Sequence, residues 1–466
     1  MISKATSLKR LAVLFILGFF LWLVPNPAGL EQQGWHLFII FIIVIIGIVM
    51  DFLPMGVMMV ISLTVCVLTN TLTLEQALYG FSSNIVWLIT IAFFIARAVI
   101  KSNLARRVSC FLIYKFGNSL LGISYSLVLT EFLLAPIIPS AIARSGGIIF
   151  PIAKSISEQF ASIEDNKIRA FIMQVCFQGN VISSAMFLTA MAGNPLIVKI
   201  ANSLDVEINW GTWALGAIIP GIINLLIMPI ILYFTICPKA KSIPRISQLA
   251  RTSLNEIGHV SRNEIIVSIT FCGLILFWIL GKLFGIDATT AALLGFLVLI
   301  ITDVINWKDV VLERQAWKTF VWFGSFIALS EYLSTFGVTR WIGANISVVL
   351  ADKDPFLAII ILMAVFFYMH YFFASITVYS SVMYSTFFLM LTTLQLPPLV
   401  AAMVLAFFAN LSGCLTHYSI SSAPIFFTES QLSIKSWWQI GFIMSIVNIL
   451  IWSLIGGIWW QVLGWW

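Results

Sequence analysis

Between Pro355 and Thr428 the chain has no Asp, Glu, Lys or Arg, yet it carries His370, Ser375, Thr377, Asn410, Ser412, Thr416, His417, Ser419, Ser421 and Ser422. Lipid has no use for so many hydroxyl, amide and imidazole groups. Some of them join neighbouring helices, but most cluster where helices are interrupted. The segment LTHYSISSAP at 415–424 matches LTAMAGNP at 188–195 in its opening Leu-Thr and closing Pro. Each follows a serine at the turn of an apolar hairpin by a similar distance, 140 to 189 and 375 to 416. Acid–base chemistry fits poorly. No Asp, Glu, Lys or Arg lies near His417 or His370 in the chain, so a membrane-embedded acyltransferase using either with Asn410 lacks its acid–base partner. No enzyme is expected. Binding fits better, because a helix that restarts within the membrane offers free N–H groups and a positive dipole end to an anion. The opposing chain carbonyls suit a cation. Four such helix starts with almost no buried side-chain charge point to an anion held by backbone and hydroxyl donors.

These residues sit in a chain of 466 residues that is 61% apolar and 9% charged, with a mean hydropathy of +1.04. A soluble domain has roughly 45–50% and about 25%, so the composition excludes an ordinary globular enzyme or a disordered chain and makes the lipid bilayer a partner. The net charge of +6 comes from Lys and Arg scattered between apolar runs. That distribution fits positive-inside topology and not nucleic acid. Cys66, Cys110, Cys176, Cys237, Cys272 and Cys414 show no CxxC pair or metal spacing and read as buried free thiols. Lys4, Lys9 and Arg10 ahead of 11–24 imitate a signal peptide, but apolar runs continue to the last residue, so this segment reads as a first span. The 17 Trp, among them Trp459, Trp460, Trp465 and Trp466, read as interface anchors.

Apolar runs at 11–24, 36–53, 55–69, 84–100, 169–191, 211–236, 265–284, 288–305, 319–336, 396–413 and 437–462 predict about 11 transmembrane helices. Two further regions, 117–157 and 355–395, read as re-entrant hairpins, which irregular backbone permits only against protein or water. In the first, Pro136 and Pro139 follow the first arm and the second arm is only 148–156, about 14 Å of helix against a ~30 Å core. In the second, a polar knot of Ser375, Thr377, Ser380 and Ser381 separates 356–373 from a short arm at 382–394. A cytoplasmic N-terminus leaves only Lys199, Lys282, Arg340 and Lys353 outside and Arg144 at a hairpin tip, and it puts the C-terminus outside. The connection 239–264, with Lys241, Arg245, Arg251 and Arg262, reads as a cytoplasmic linker between two halves. Counting spans sets the hairpins on opposite sides. The expected fold is therefore an all-α polytopic membrane protein with inverted repeats, about 11 transmembrane helices plus two re-entrant hairpins, the architecture of secondary transporters.

At these residues the sequence resembles the divalent-anion:sodium symporter (DASS) family, within it the branch of citrate or tartrate:succinate exchangers and plastidic 2-oxoglutarate/malate translocators. The resemblance rests on GWHLFIIF at 34–41, the stretch from Phe81 to Arg107, TEFLLAPIIPSAIARSGG at 130–147, MFLTAMAGNPL at 186–196, YFFASITVYSSVMYS at 371–385 and GCLTHYSISSAPIFF at 413–427. It implies a homodimer in a bacterial inner membrane that exchanges di- or tricarboxylates, each protomer an elevator whose transport domain carries both hairpins. On that plan 1–103 are scaffold helices, 104–204 the first hairpin and broken helix, 205–336 scaffold helices including the linker, 337–430 the second hairpin and broken helix, and 431–466 the C-terminal helix. The sequence also departs from the family pattern. Where the family has Ser-Asn-Thr, the tips read Ser140-Ala141-Ile142 and Ser375-Ile376-Thr377, followed by Val378 and Tyr379 where the exchanger branch often has Ala-His. Ser419 and Ser421 stand where glycines are common, which should narrow the pocket. Alanine and isoleucine supply no side-chain oxygen, which counts against a sodium site. A sodium-coupled symporter and a transport-deficient sensor are the alternatives.

The expected substrate-binding set is Ser140, Arg144, Asn194, Ser375, Thr377, Thr416, His417 and Ser419. No cofactor is expected beyond a sodium ion, for which Ser140, Gly193 and Asn194 are the candidates. Arg144 reads either as a substrate counter-charge or as the partner of Glu131, since a lone cation within the membrane is costly. Glu131 reads as that structural pair or as a proton or cation site. Asp303 and Glu331 read as structural residues of the scaffold, and His370 as a packed, hydrogen-bonded histidine.

Overall fold

The computed structural model describes residues 4–50, 53–160, 166–236, 244–350 and 354–466. Cys237, Lys239, Lys241 and Lys353 lie outside the described residues. Those described form helices and connecting turns, with no strand among them. Large apolar side chains face outward: Phe234, Ile301, Phe356 and Val462 are each at least 70% exposed. Ser, Asn and Gln side chains are buried inside. A soluble protein does not expose such patches, whereas lipid solvates them. Among the described residues six helices are long and apolar enough to cross a membrane, including Asn84–Lys101, Trp210–Ile236 and Ile434–Val462, and shorter apolar helices such as Met55–Leu68 and Ala288–Ile301 accompany them.

After the first helix, Lys4–Trp22, one order of elements occurs twice. The first half runs Gln32–Val49, Met55–Leu68, the short Leu74–Leu78, Asn84–Lys101 and Leu104–Phe116. It ends in a hairpin, a broken helix and Trp210–Ile236. The second runs Arg262–Phe284, Ala288–Ile301, the short Trp307–Leu312, Arg314–Thr335 and Val338–Leu350, then a hairpin, a broken helix and Ile434–Leu450. The repeat extends to a corner in atomic detail. Thr71 and Leu72 donate backbone N–H to Cys66 O, as Val304 and Ile305 do to Leu299 O. Asn70 (φ 54°) and Asp303 (φ 59°) take the left-handed turn that Asn and Asp tolerate. Thr73 with Gln76, and Asn306 with Asp309, then form capping boxes on the short helices. Asp303 thus serves the corner. Glu331 pairs with Lys199 at 2.7 Å and ties Arg314–Thr335 to the second piece of the first broken helix.

Both hairpins are present, but each second arm is longer than its sequence pattern suggests. In the first, Leu120–Leu134 is followed by an irregular stretch to Ser140, and helix then runs from 141 to 158 through a π-helical turn, Ile142–Ile149. Pro151 falls in the first turn of the α-helical segment Phe150–Glu158 that follows the π turns, where a missing N–H is tolerated, so the proline does not cut the arm. In the second hairpin Pro355–Tyr368 leads to a tip at Phe373–Ser375, and the return arm is Ile376–Thr393. The polar knot forms its first turns rather than a gap. Ser381 returns its hydroxyl to Thr377 O, so the chain need not open to satisfy it.

The linker is docked rather than loose. Its described part forms Pro244–Ile257, which buries Ile246 and Ala250 and packs on Leu104–Phe116. Arg107 clamps its far end, donating to Gly258 O, His259 O and Glu264. Two other expectations are corrected. Cys272 is exposed, on an outward face of Arg262–Phe284. Several tryptophans are core residues: Trp213, Trp437, Trp452 and Trp460 are at most 2% exposed, and Trp452 and Trp460 pack on Phe407.

Candidate functional site

The two broken helices interrupt where the Leu-Thr motifs stand. The first is Asn166–Met186, a break at 187–192, and Gly193–Asn202. The second is Pro398–Leu411, a break closing at Ser422, and Ala423–Ser430. At the tips Ser140 Oγ accepts the N–H of Ala143 and Ser375 Oγ that of Val378, so each serine caps its return arm. Both stay partly accessible, as does Thr377.

The four elements interlock across the halves. Thr377 of the second tip lies against Gly193, the residue at which the helix restarts after the first break, where an added β-carbon would sit 3.4 Å from its Oγ1. Gly146 of the first hairpin meets Ile425, just past the second break, in the same way at 3.1 Å. Asn410 Nδ2 donates to Asn194 Oδ1 at 2.8 Å, Ser422 Oγ to Asn180 Oδ1 at 3.3 Å, and Gln178 Nε2 to Cys414 O at 3.4 Å.

Arg144 is fully buried, and the pairing with Glu131 is present at 2.5 Å. Its remaining N–H groups reach Ile138 O at 2.7 Å, Ala190 O at 2.8 Å and Ser184 Oγ at 2.8 Å. One guanidinium therefore stitches the first tip, the first break and the first broken helix together. Asn180 Nδ2 adds a second bond to Glu131 Oε1, and Glu131 Oε2 is buried with no partner. Asn194 is as fully engaged: its amide donates to Ser184 O and Phe187 O and accepts from Asn410. Ser419 turns its hydroxyl back into its own loop, toward Gly413 O and Thr416 O. Thr416 Oγ1 is buried without a partner. His417 is half-buried among Tyr418, Phe427 and Trp438. His370 bonds through Nε2 to Ser419 O at 3.1 Å, the packed role its sequence position suggests.

Sequence reasoning missed the stripe Gln174, Gln178, Asn180, Ser183 and Ser184, whose spacing places polar groups along one buried stretch of an apolar helix. It also missed Thr189 and Tyr418, which donate to hairpin carbonyls Pro136 O and Tyr371 O at 2.7 and 2.8 Å. Among the described residues no group of three His, Cys, Asp or Glu is placed to hold a metal ion.

Known proteins share this plan. The chain is 44% identical to a putative malate transporter of Bacillus subtilis, YflS, over 100% of its own length and 98% of the relative's. It is 42% identical to the chloroplastic dicarboxylate transporter 1 of Arabidopsis thaliana, over 99% and 84% of the two chains. An L-tartrate/succinate antiporter of Shigella boydii is 28% identical over 98% and 97%. Among solved structures the YdaH transporter of Alcanivorax borkumensis shares the fold, with a TM-score of 0.53 at 11% identity over 84% of this chain and 88% of that one. Residues 4–466 match the family described as the sodium:sulfate symporter transmembrane region. The chain therefore belongs to the sodium:sulfate, or divalent-anion:sodium, symporter family of membrane transporters.

Proposed function

We propose that the chain is a secondary active transporter of di- or tricarboxylates of the succinate, malate, 2-oxoglutarate, citrate and tartrate class, and that it works by anion exchange. The relatives named for malate, dicarboxylates and tartrate/succinate support the substrate class. The Arg144–Glu131 arrangement supports the exchange. Chain carbonyls at a helix break are what a coupling cation needs, and here Ile138 O and Ala190 O already accept from a fixed guanidinium. The remaining sodium candidates are thin, since Ser140 Oγ and Asn194 Oδ1 each already accept an N–H. Glu131 neutralises Arg144, so the site carries no net side-chain charge to match a dianion. Returning with a second anion in place of the first cancels the charge moved.

In this reading the substrate sits between the tips, held by the hydroxyls of Ser140, Ser375, Thr377 and Thr416 and by N–H groups at the four helix starts. His417 donates to a carboxylate, Arg144 with Glu131 adds a local dipole and no net charge, and Asn194 and Ser419 shape the breaks. The interlocked hairpins and breaks move as one body against the flanking helices, an elevator within a homodimer in the inner membrane, with the N-terminus cytoplasmic and the C-terminus outside. Trp210–Ile236, a scaffold helix on the sequence plan, packs along the first broken helix, and in this reading it travels with that body. Uptake of labelled succinate into proteoliposomes, in sodium or choline buffer and with or without internal succinate, tests the exchange. We expect uptake to require internal substrate and to persist in choline. Uptake that collapses in choline whatever the internal load indicates a sodium symporter, and binding without flux indicates a sensor.

A further inference from the structure

His417 is held by a donor that cannot act as an acceptor. Trp438, on Ile434–Leu450, directs its indole N–H at His417 Nδ1 over 3.2 Å. An indole nitrogen only donates, so Nδ1 must turn a lone pair toward it, and the single N–H of the neutral ring is then on Nε2. The ring is also fixed in orientation. Phe427 lies against it with centroids 4.8 Å apart, and Tyr418 stands edge-on at 5.0 Å. Tyr418 donates to Tyr371 O in the second hairpin, and the Tyr371 ring packs on Trp438 at 5.5 Å. Behind Phe427 the fully buried Trp437 packs on Phe177 of the first broken helix. The box is thus braced by the second hairpin, the second break and both halves of the molecule.

We infer that Trp438 is a positioning residue. By donating to Nδ1 it fixes the Nε2–H tautomer of His417, so that the second break presents a neutral, directed N–H donor to the substrate. Such a group donates to a deprotonated carboxylate oxygen and rejects a group that can only donate, such as an ammonium. The substrate contact rests on the transporter reading above, whereas the tautomer does not.

The chain has four histidines, so ¹⁵N-histidine NMR of the purified protein, with His417→Gln to identify its signal, reads the tautomer directly. We expect a protonated Nε2 and a bare Nδ1 at His417 in the wild type. Trp438→Phe, which keeps the aromatic surface, should release the ring into a mixture of tautomers. An Nδ1–H tautomer in the wild type overturns the inference even in a protein that transports nothing. In proteoliposomes His417→Gln keeps a donor near the Nε2 position and should hold KM for succinate within about threefold, whereas His417→Asn should raise it about tenfold, the cost of one lost bond to a charged acceptor. Trp438→Phe should raise KM with little change in maximal rate, and should have no further effect in the His417→Gln background. An undiminished effect there assigns Trp438 to packing and removes its positioning role. If no carboxylate is transported, the NMR result still stands and only the transporter reading fails.

Discussion

The two hairpin-and-break units share a backbone plan and are wired differently. In the first, a charged group ties the tip to the break: Arg144 donates to Ile138 O, Ala190 O and Ser184 Oγ, and Glu131 balances it. In the second, neutral groups do the same work. His370 donates to Ser419 O and Tyr418 to Tyr371 O, while Tyr379 joins the two hairpin arms by donating to Phe366 O. Freed carbonyls at a break must be satisfied wherever the bilayer excludes water. An ion pair and a set of neutral donors are two solutions to that problem. They differ in what else they bring, because the first unit places a permanent dipole beside the site while the second supplies only direction.

The contrast is broken most sharply by mutation at the tips. Arg144→Gln strands Glu131 as a buried, unpaired carboxylate, and removing one partner of a buried pair costs about 3–5 kcal/mol. We expect a large fall in thermal stability in detergent and loss of exchange, with much of the stability restored in Arg144→Gln, Glu131→Gln. His370→Gln keeps a donor for Ser419 O and should cost about 1 kcal/mol. Equal losses at the two sites would show that charge is not what separates the units.

How far the sequence discloses this arrangement depends on how local each cause is. The breaks are legible because Leu-Thr, Gly and Pro mark them in the chain itself. The arm lengths are not, since the π turn at Ile142–Ile149 and the back-bonded hydroxyl of Ser381 satisfy the backbone without leaving any mark in the hydropathy pattern. Arg144 is visible as a membrane cation, but its three oxygen acceptors besides Glu131 come from a tip, a break and a helix that only the fold assembles. The corner repeat was there to be read: Thr69, Asn70, Thr73 and Gln76 recur in the same spacing as Thr302, Asp303, Asn306 and Asp309. Apolar runs on either side mask it in a search by hydropathy.

A smaller effect is expected inside the breaks. Ser419 bridges Gly413 O and Thr416 O, and Ser421 is exposed, whereas the first break offers Ala190, Ala192 and Gly193 without such hydroxyls. Ser419→Gly, Ser421→Gly removes the bridge and the volume of two side chains and lets the backbone open. Competition by carboxylates from malonate to citrate against labelled succinate should shift about threefold in favour of the larger ones, roughly the worth of one weak hydrogen bond. An unchanged ranking assigns both serines to packing and moves substrate choice to Ala141, Ile142, Val378 and Tyr379.

The smallest effect lies at the corners, where the two capping boxes differ by one titratable group. Gln76 closes the first capping box and Asp309 the second. The Asn306 backbone N–H and the Lys101 ammonium, 2.7 Å away, hold the Asp309 carboxyl below the usual carboxylate range. A group whose pKa is lower folded than unfolded stabilises the fold above its unfolded value, near 3.9, and loses that contribution as pH falls through its folded value. The second corner should therefore weaken below about pH 4, while the first, capped by an amide, should not respond. Lys101 and Asp309 are partly solvated, so solvent screens the pair and the effect is modest. Asp309→Asn should lower the unfolding temperature by about 1 °C at neutral pH. The wild type should approach the variant as the pH drops from 6 to about 3. A difference that persists undiminished at the acid end would mean that the asparagine fails as a cap for steric reasons, and that the corners differ in shape rather than in charge.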